Sequence, residues 1–296
     1  MSKHPPWANR NAVAWQELAR PFAGGIRCVA LDGGALVVET DEAIARSADE
    51  GATWTSAPAP PRRPPGEGAV VEALAPDGTR WRSLERHDIV FYPGGPGPRP
   101  ILHAGYPITR AIERSADGGR TWTKERDDLS ASAFVFDARG RTWVAGSSGL
   151  WRRDERGWSR LHDQPATGVV VEGERVVVAG YRSWLSLDGG ASFAELAEEC
   201  HEHGPWGLLE ARAVDLQSLA RGPDGAAWAL ARGRSHDGVF RLPPAGDRWQ
   251  SLNLGLHVIP RVGGRASSLS LASLCVTPAG SAFVGGAGGL FRRAAG

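Results

Sequence analysis

The stretch Ser115-Ala-Asp117-Gly-Gly119-Arg-Thr121-Trp122 decides the fold of this chain, because it recurs twice with small changes. The other copies are Ser47-Ala-Asp49-Glu-Gly51-Ala-Thr53-Trp54 and Ser186-Leu-Asp188-Gly-Gly190-Ala-Ser192-Phe193. Serine and aspartate oxygens at this spacing accept hydrogen bonds from nearby backbone N–H groups, and glycine supplies a positive φ. The final aromatic residue is suited to burial between neighbouring sheets. The pattern therefore predicts three tight turns between β-strands.

The shared pattern Ser-x-Asp-x-Gly-x-Thr-Trp resembles the Asp-box, or BNR repeat, of sialidases and many other β-propellers. The resemblance implies a propeller fold built from repeated sheets. It implies no activity, because this motif is a structural device that enzymes and non-enzymes share. The three stretches are called the box turns below.

A larger unit repeats six times around the box turns. It consists of an apolar strand, a glycine turn and a second apolar strand, followed by a third strand. The six inner strand pairs are Ile26–Val38, Val70–Trp81, Phe134–Val144, Val169–Val178, Leu219–Leu230 and Leu274–Val284. The repeat predicts an all-β, six-bladed β-propeller.

The outer strands begin with an aromatic residue and reach leucine three positions later, as in Trp158–Leu161, Phe193–Leu196 and Trp249–Leu252. The last unit ends before any such strand, and the same pattern appears near the N-terminus as Trp15–Leu18. We therefore expect the N-terminal strand to close the last blade and hide its edge. The expected organisation is an N-terminal tail over 1–12 and a single propeller domain over 13–296.

Composition limits the possible partners and locations. The formal net charge is +1, so the chain lacks the excess of positive charge that is typical of nucleic-acid-binding proteins. No apolar run approaches the length of a membrane-spanning helix, and the N-terminus lacks the apolar segment of a secretory signal. We expect a cytoplasmic, bacterial protein that binds neither nucleic acid nor membrane.

Two of the three cysteines occupy matching positions, five residues before turn glycines of the first and last units. Cys28 and Cys275 would lie on adjacent innermost strands of a closed ring, where a disulfide or a soft metal site is conceivable. Other units carry small residues at this position, and cysteine is readily buried. We expect free thiols.

The long connections of the predicted propeller emerge on one face, and every turn on the box face is short. The long connections are Leu84–Pro107, Glu195–Ala213, Ala231–Asp237 and Asn253–Ser268. Long loops in a compact domain usually serve function. The sequence therefore predicts a small-molecule or peptide ligand on the face with the long loops.

Histidines concentrate on that face. Seven of the eight lie on or beside its connections, namely His87, His103, His162, His201, His203, His236 and His257. In an extended segment His201 and His203 point the same way, which suits two imidazoles on one cation. Further ligands could come from His87, His103, His236 or His257 across the pore mouth, and such a set suits Zn, Cu, Fe or Ni. A metal-free polar pocket and plain surface histidines are the alternatives.

Three classes of function remain open. The first is an enzyme with a histidine-bound metal at the pore mouth, with Glu202, Asp237 and Tyr106 as acid–base candidates. The second is a sialidase-like glycoside hydrolase, although the chain lacks an early Arg-Ile-Pro segment and offers only Tyr92, Tyr106 and Tyr181 as a nucleophile. The third is a non-catalytic binding or assembly module, like the Asp-box propellers that help to assemble photosystems. The proline-rich stretches Pro58–Pro65 and Tyr92–Pro100 would then bind partners, unless they are stiff connectors.

Overall fold

The computed structural model describes most of the chain, and every regular element that it describes is a β-strand. The described residues are 13–19, 23–59, 69–87, 90–92, 103–105, 108–196, 201–204, 207–210, 215–232, 237–252, 256 and 271–295. Within these ranges, no helix has the length and apolar character needed to cross a membrane.

The strands follow one another at short intervals along the chain. The first half contains β1 (Gln16–Glu17), β2 (Ile26–Asp32), β3 (Ala35–Thr40), β4 (Ala43–Ser47), β5 (Thr55–Pro58), β6 (Ala69–Leu74), β7 (Arg80–His87), β8 (Val90–Tyr92), β9 (His103–Gly105), β10 (Ile108–Ser115), β11 (Thr123–Arg126), β12 (Ala133–Phe136), β13 (Thr142–Gly146) and β14 (Gly149–Asp154). The second half contains β15 (Gly157–His162), β16 (Gly168–Glu172), β17 (Arg175–Ala179), β18 (Trp184–Ser186), β19 (Ala194–Glu195), β20 (His201–Gly204), β21 (Gly207–Glu210), β22 (Asp215–Arg221), β23 (Ala227–Arg232), β24 (Asp237–Leu242), β25 (Gln250–Ser251), β26 (Leu271–Val276), β27 (Ala282–Gly286) and β28 (Gly289–Arg293).

Twenty-four of the strands form six four-stranded sheets, which are the blades of a β-propeller. The sheet orders are β2-β3-β4-β5, β6-β7-β10-β11, β12-β13-β14-β15, β16-β17-β18-β19, β22-β23-β24-β25 and β26-β27-β28-β1. The remaining strands form two separate hairpins, β8-β9 and β20-β21. The predicted all-β, six-bladed fold is confirmed.

The predicted closure of the last blade is confirmed as well. Strand β1 pairs antiparallel with β28, and the register partners are Gln16 with Arg292 and Glu17 with Phe291. The backbone N–H of Leu18 also donates to the carbonyl of Leu290 at 2.8 Å. The sixth blade therefore takes its outer strand from the opposite end of the chain.

The contacts divide the chain into two compact units. Unit 1 contains Met1–Pro60, Ala179–Ser186 and Phe193–Gly296, and unit 2 contains Pro61–Val178 and Leu187–Ser192. The single domain expected over 13–296 stays a prediction.

In unit 1, the first and last blades share a core. Ile26, Val29 and Leu36 of the first blade are buried together with Phe283 and Leu290 of the last blade. The Ser273 hydroxyl on β26 donates to the carbonyl of Val29 on β2 at 3.0 Å. Apolar burial and a polar contact thus hold these two blades together.

Trp15 anchors the closing strand of unit 1. Its side chain is only 3% exposed and lies in an apolar cluster that includes Leu230, Leu274 and Phe291. Its indole N–H donates to the backbone carbonyl of Leu252. Burying an aromatic side chain of this size contributes on the order of 3 kcal/mol, which compensates for the shortness of β1.

Glu50, at the tip of the first box turn, braces the same two blades. It is the only non-glycine residue with a positive φ among the described residues, at 55°, and the other two box turns have glycine at this position. Its carboxylate accepts hydrogen bonds from Thr277 Oγ1 and Ser281 Oγ, both at 3.1 Å, and from the guanidinium of Arg292. The strained backbone of Glu50 is thus offset by polar contacts to the last blade.

In unit 2, the second and third blades are packed through aromatic residues. Trp81 on β7 is 3% exposed, and its ring centroid lies 6.2 Å from that of Trp158 in an edge-on arrangement. Phe134 and Phe136 on β12 lie at 6.3 and 6.4 Å from the same ring. The outer-strand tryptophan therefore fills the space between blades, as its position in the repeat predicts.

The box turns are closed hydrogen-bonded units. In the first, the Ser47 hydroxyl accepts from Gly51 N at 2.7 Å and donates to Asp49 Oδ1 at 2.7 Å. Asp49 also accepts from the backbone N–H and the hydroxyl of Thr53, at 2.8 and 2.6 Å. The second turn repeats these contacts with Ser115, Asp117, Gly119 and Thr121, and the third repeats the aspartate contacts with Asp188 and Ser192. Each aspartate is occupied with shaping its own turn.

These hydrogen bonds also shift the titration of the box aspartates. The Thr53 hydroxyl and backbone N–H, followed by the Ser47 hydroxyl, lower the pKa of Asp49 to about 2. The corresponding groups of Thr121 and Ser115 hold the pKa of Asp117 well below its usual range. The charged carboxylate is therefore the form that stabilises the turn.

The Glu50 brace can be tested by removing its carboxylate. Glu50→Ala should lower the free energy of unfolding by about 1–3 kcal/mol, because three donors on the last blade lose their acceptor while the positive φ remains. Glu155→Ala is the matched control, since Glu155 is an exposed glutamate in the corresponding turn of the third blade. Urea unfolding curves that coincide for the two variants would refute the brace.

The role of the box carboxylates predicts a pH dependence. A lowered folded pKa stabilises the protein above the unfolded value, about 3.9, and this stabilisation is lost as pH falls towards 2. Asp49→Asn should therefore lower the melting temperature at pH 7 and 5, and the difference from wild type should shrink below pH 4. Asp247→Asn, which changes an exposed aspartate outside the box turns, should show no such trend. A gap between wild type and Asp49→Asn that is unchanged at pH 2.5 would contradict this assignment.

Candidate functional site

Each blade has two distinct ends. At the turn end lie the tight turn between its first two strands and the turn between its last two, including the box turns. At the connection end, the second strand passes to the third and the chain leaves for the next blade. This antiparallel order follows from the strand sequence of each sheet.

The two extra hairpins both leave from connection ends. The β8–β9 hairpin lies between β7 and β10, which leave the second blade at the register partners His87 and Ile108. The β20–β21 hairpin lies in the link between β19 of the fourth blade and β22 of the fifth. Both stretches were expected to be long loops, and both contain paired strands instead. The long connections at these ends are therefore partly folded into regular β-hairpins.

The register of the β20–β21 hairpin brings three candidate metal ligands to one face. His201 is paired with Glu210, His203 with Leu208, and Glu202 with Leu209. Alternation along a strand places His201, His203 and Glu210 on one face of the hairpin, and Glu202 on the other. Glu202 therefore stays a predicted acid–base residue, but it does not share a face with the two histidines.

Glu210 cannot be singled out from the sequence alone. It lies seven residues after His203, and only the hairpin pairing makes it the cross-strand neighbour of His201. The glycines that flank the turn, Gly204 and Gly207, are the one sequence signal for a hairpin here.

For some of the other predicted site residues the structure gives only the position of the backbone. The rest lie outside the described residues. His87 ends β7, His103 begins β9 opposite Tyr92, and Asp237 begins β24 opposite Arg232. Tyr106, His236 and His257 lie outside the described residues. Among the side chains that the structure describes, which exclude those of the β20–β21 hairpin, no group of three or more His, Cys, Asp or Glu is arranged to hold a metal ion. The histidine site therefore stays a prediction.

The cysteines of the first and last blades are free thiols, as expected. Burial raises the pKa of the Cys275 thiol to about 12, and burial is also the main cause of the raised pKa of Cys28. The thiolate is the form that attacks or binds metal. Both cysteines are therefore poorly suited to either role, and Cys200 lies outside the described residues.

A fully described polar cluster lies at the connection end of the second and third blades, in unit 2. It contains Arg126, Asp128, Ser148, Trp151, Arg160 and Asp163, and is called the Trp151 cluster below. These residues belong to, or lie beside, three connections, residues 127–132, 147–148 and 163–167.

The half-buried indole of Trp151 organises the cluster. The guanidinium carbon of Arg126 lies 4.4 Å from the ring centroid, and that of Arg160 lies 5.9 Å from it. The indole N–H donates to Ser148 Oγ at 3.2 Å. Two cations are thus held beside one aromatic ring.

Each arginine of the cluster has a defined set of acceptors. Arg126 binds Asp128 through both oxygens, with Nε to Oδ1 at 2.7 Å, and this hydrogen bonding raises the pKa of Arg126 and lowers that of Asp128. Arg160 donates to two backbone carbonyls, those of Ser148 at 3.0 Å and Asp163 at 3.2 Å. Arg126 is therefore neutralised by a carboxylate, whereas Arg160 is fixed in place without one among the described residues.

The Trp151 cluster is not apparent in the sequence. Trp151 occurs within the sequence Gly149-Leu-Trp-Arg-Arg153, which predicts only the third strand of a blade. The three connections are also short, so loop length gives no signal for them.

Comparison with known proteins supports the fold and a distant relationship. No family model matches the chain. A xyloglucanase from Paenibacillus sp is 25% identical over 247 residues, which cover 75% of this chain and 20% of the relative. The chain thus spans about a fifth of the length of that curated relative.

Solved structures show the same fold at low sequence identity. The WD40 β-propeller domain of Doa1 has a TM-score of 0.53 at 12% identity, over 94% of this chain and 96% of that one. YCF48 from Cyanidioschyzon merolae has a TM-score of 0.51 at 15% identity, over 95% and 98% of the two chains. This chain is therefore a β-propeller, and its function has to be argued from its own residues.

Proposed function

We propose that this propeller is an enzyme that binds a divalent transition metal on the β20–β21 hairpin and acts on a small molecule or peptide. The observation that carries the proposal is the hairpin register, which gives His201, His203 and Glu210 a common face. Two imidazoles and one carboxylate are a ligand set for Zn²⁺ in catalytic sites and for non-haem Fe²⁺.

The backbone spacing is compatible with a single ion. Residues two apart on one strand lie about 6.5–7 Å apart, and directly paired residues have Cβ atoms about 4.5–5.5 Å apart. Both separations can be bridged by side chains that reach a shared metal at about 2.0–2.2 Å. The hairpin could therefore supply three ligands and leave a coordination position for substrate.

A metal in this position would polarise a substrate carbonyl or activate water as a Lewis acid. His236 and His257, in the same unit as the hairpin, stay proposed as further ligands, and Asp237 and Glu202 as acid–base residues. The roles expected for His87, His103 and Tyr106, which belong to the other unit, stay predictions from the sequence. Hairpins inserted at connection ends suit such a role, because the chain is elaborated there whereas the turns at the other end are short.

A second candidate function is saccharide binding or hydrolysis. The observation that favours it is the 25% identity with a xyloglucanase over 75% of this chain. The chain covers only a fifth of that relative. A xyloglucanase-like activity of this chain is therefore a proposal. A non-catalytic binding module with a saccharide ligand is compatible with the same observation.

The metal proposal predicts stoichiometric binding by the purified protein. Untagged wild-type protein dialysed against Zn²⁺ should retain about one ion per chain in elemental analysis, and the His201→Ala/His203→Ala variant should retain none. Glu210→Gln should weaken Zn²⁺ affinity at least tenfold, whereas His4→Ala should leave it unchanged. Affinity should fall as pH drops below about 6.5, because the imidazoles must be neutral to bind.

The same samples test for an enzyme. Any hydrolysis of a panel of nitrophenyl esters, phosphates and glycosides should depend on the metal and disappear in the double variant. Wild-type protein that holds far less than one ion per chain after dialysis against Zn²⁺, Cu²⁺, Fe²⁺ and Ni²⁺ would refute the proposal. Full occupancy and activity in the double variant would also refute it, and would favour a binding module.

A further inference from the structure

We infer that the Trp151 cluster is a binding subsite for a neutral saccharide. The inference rests on the second, saccharide-directed function proposed above, and it is independent of the metal. It starts from the contacts of Arg160 and Asp128, which are both open to solvent.

Arg160 is preorganised for hydrogen bonding to a ligand. Its Nε and Nη2 are held by the carbonyls of Ser148 and Asp163, and its guanidinium lies against Trp151. Among the described residues, none accepts a hydrogen bond from its Nη1. A rigid planar donor with a free edge binds with little loss of side-chain entropy.

Asp128 supplies the complementary acceptor. Its carboxylate is 57% exposed, whereas the Arg126 side chain that binds it is 21% exposed. Each carboxylate oxygen accepts one hydrogen bond from Arg126 and retains lone pairs for another. The cluster therefore contains both a fixed acceptor, held by Arg126, and a fixed donor, Arg160.

The charge balance of the cluster favours a neutral ligand over an anion or a cation. Arg126 and Asp128 form an ion pair, and the cluster as a whole contains two arginines and two aspartates, so its formal charges sum to zero. A sugar hydroxyl both donates and accepts, so the hydroxyls of a neutral ligand can accept from Arg160 and donate to Asp128.

The position of the cluster is suited to an extended ligand. Three successive connections of the second and third blades converge on Trp151, and all of them lie at the connection end. The box turns of unit 2 lie at the turn end, so a ligand here would not disturb them. A chain of several sugar units could follow the connections from one blade to the next.

Calorimetric titration with a purified xyloglucan heptasaccharide tests the subsite. Arg160→Ala should weaken binding at least tenfold, because the fixed donor is lost, and Asp128→Asn should weaken it at least threefold. Arg156→Ala is the matched control, since Arg156 is an exposed arginine at the turn end of the same blade. It should bind with wild-type affinity, and a thermal melt of each variant should confirm that it is folded.

The possible failures are distinguishable. If wild-type protein binds the heptasaccharide and Arg160→Ala binds it equally well, the subsite is refuted and the saccharide function stands. If wild-type protein binds neither this nor cello-, manno- or xylo-oligosaccharides, both are refuted. Binding that is lost equally in Arg156→Ala and Arg160→Ala would also refute the subsite, because the effect would not be local.

Discussion

The pairing of β1 with β28 is the contact on which the rest of unit 1 depends. Only two residue pairs join these strands, Gln16 with Arg292 and Glu17 with Phe291. A strand this short gains little from its ladder alone, and its partners are separated by almost the whole chain, so closure carries an entropic cost. The neighbouring contacts compensate for that cost. Burial of Trp15 anchors the strand itself, and the Glu50 carboxylate ties the first blade to the last.

The sequence predicts the fold well because the fold depends on local, repeated chemistry. Box turns, glycine turns and period-two apolar strands recur at matching intervals, and each copy supports the assignment of the others. The closing strand is predictable for the same reason, since Trp15–Leu18 matches the outer strands of other units. Glu50 is not predictable in this way. The other two box turns have glycine at this position, so the repeat predicts a positive φ for Glu50. The repeat does not predict the hydrogen bonds that Glu50 accepts from Thr277 and Ser281.

The candidate sites are less predictable because they depend on pairing and on convergence of separate segments. Strands β8–β9 and β20–β21 are three or four residues long and lack an apolar alternation, so they read as loops. Glu210 becomes a candidate metal ligand only when the strand register shows that it is paired with His201. The Trp151 cluster depends on three connections meeting at one blade end, and no linear motif records that arrangement.

The three box turns at the turn ends are closed by their own hydrogen bonds, and we propose that the connection ends carry the ligands. The metal proposed on the β20–β21 hairpin is the part of this picture on which the chemistry depends. The most direct test is an anomalous difference map from crystals grown with Zn²⁺ and measured across the zinc edge. We expect a peak about 2.0–2.2 Å from imidazole nitrogens of His201 and His203 and from a Glu210 oxygen. A map in which zinc is absent from this hairpin, or is bound only by residues elsewhere, would contradict it.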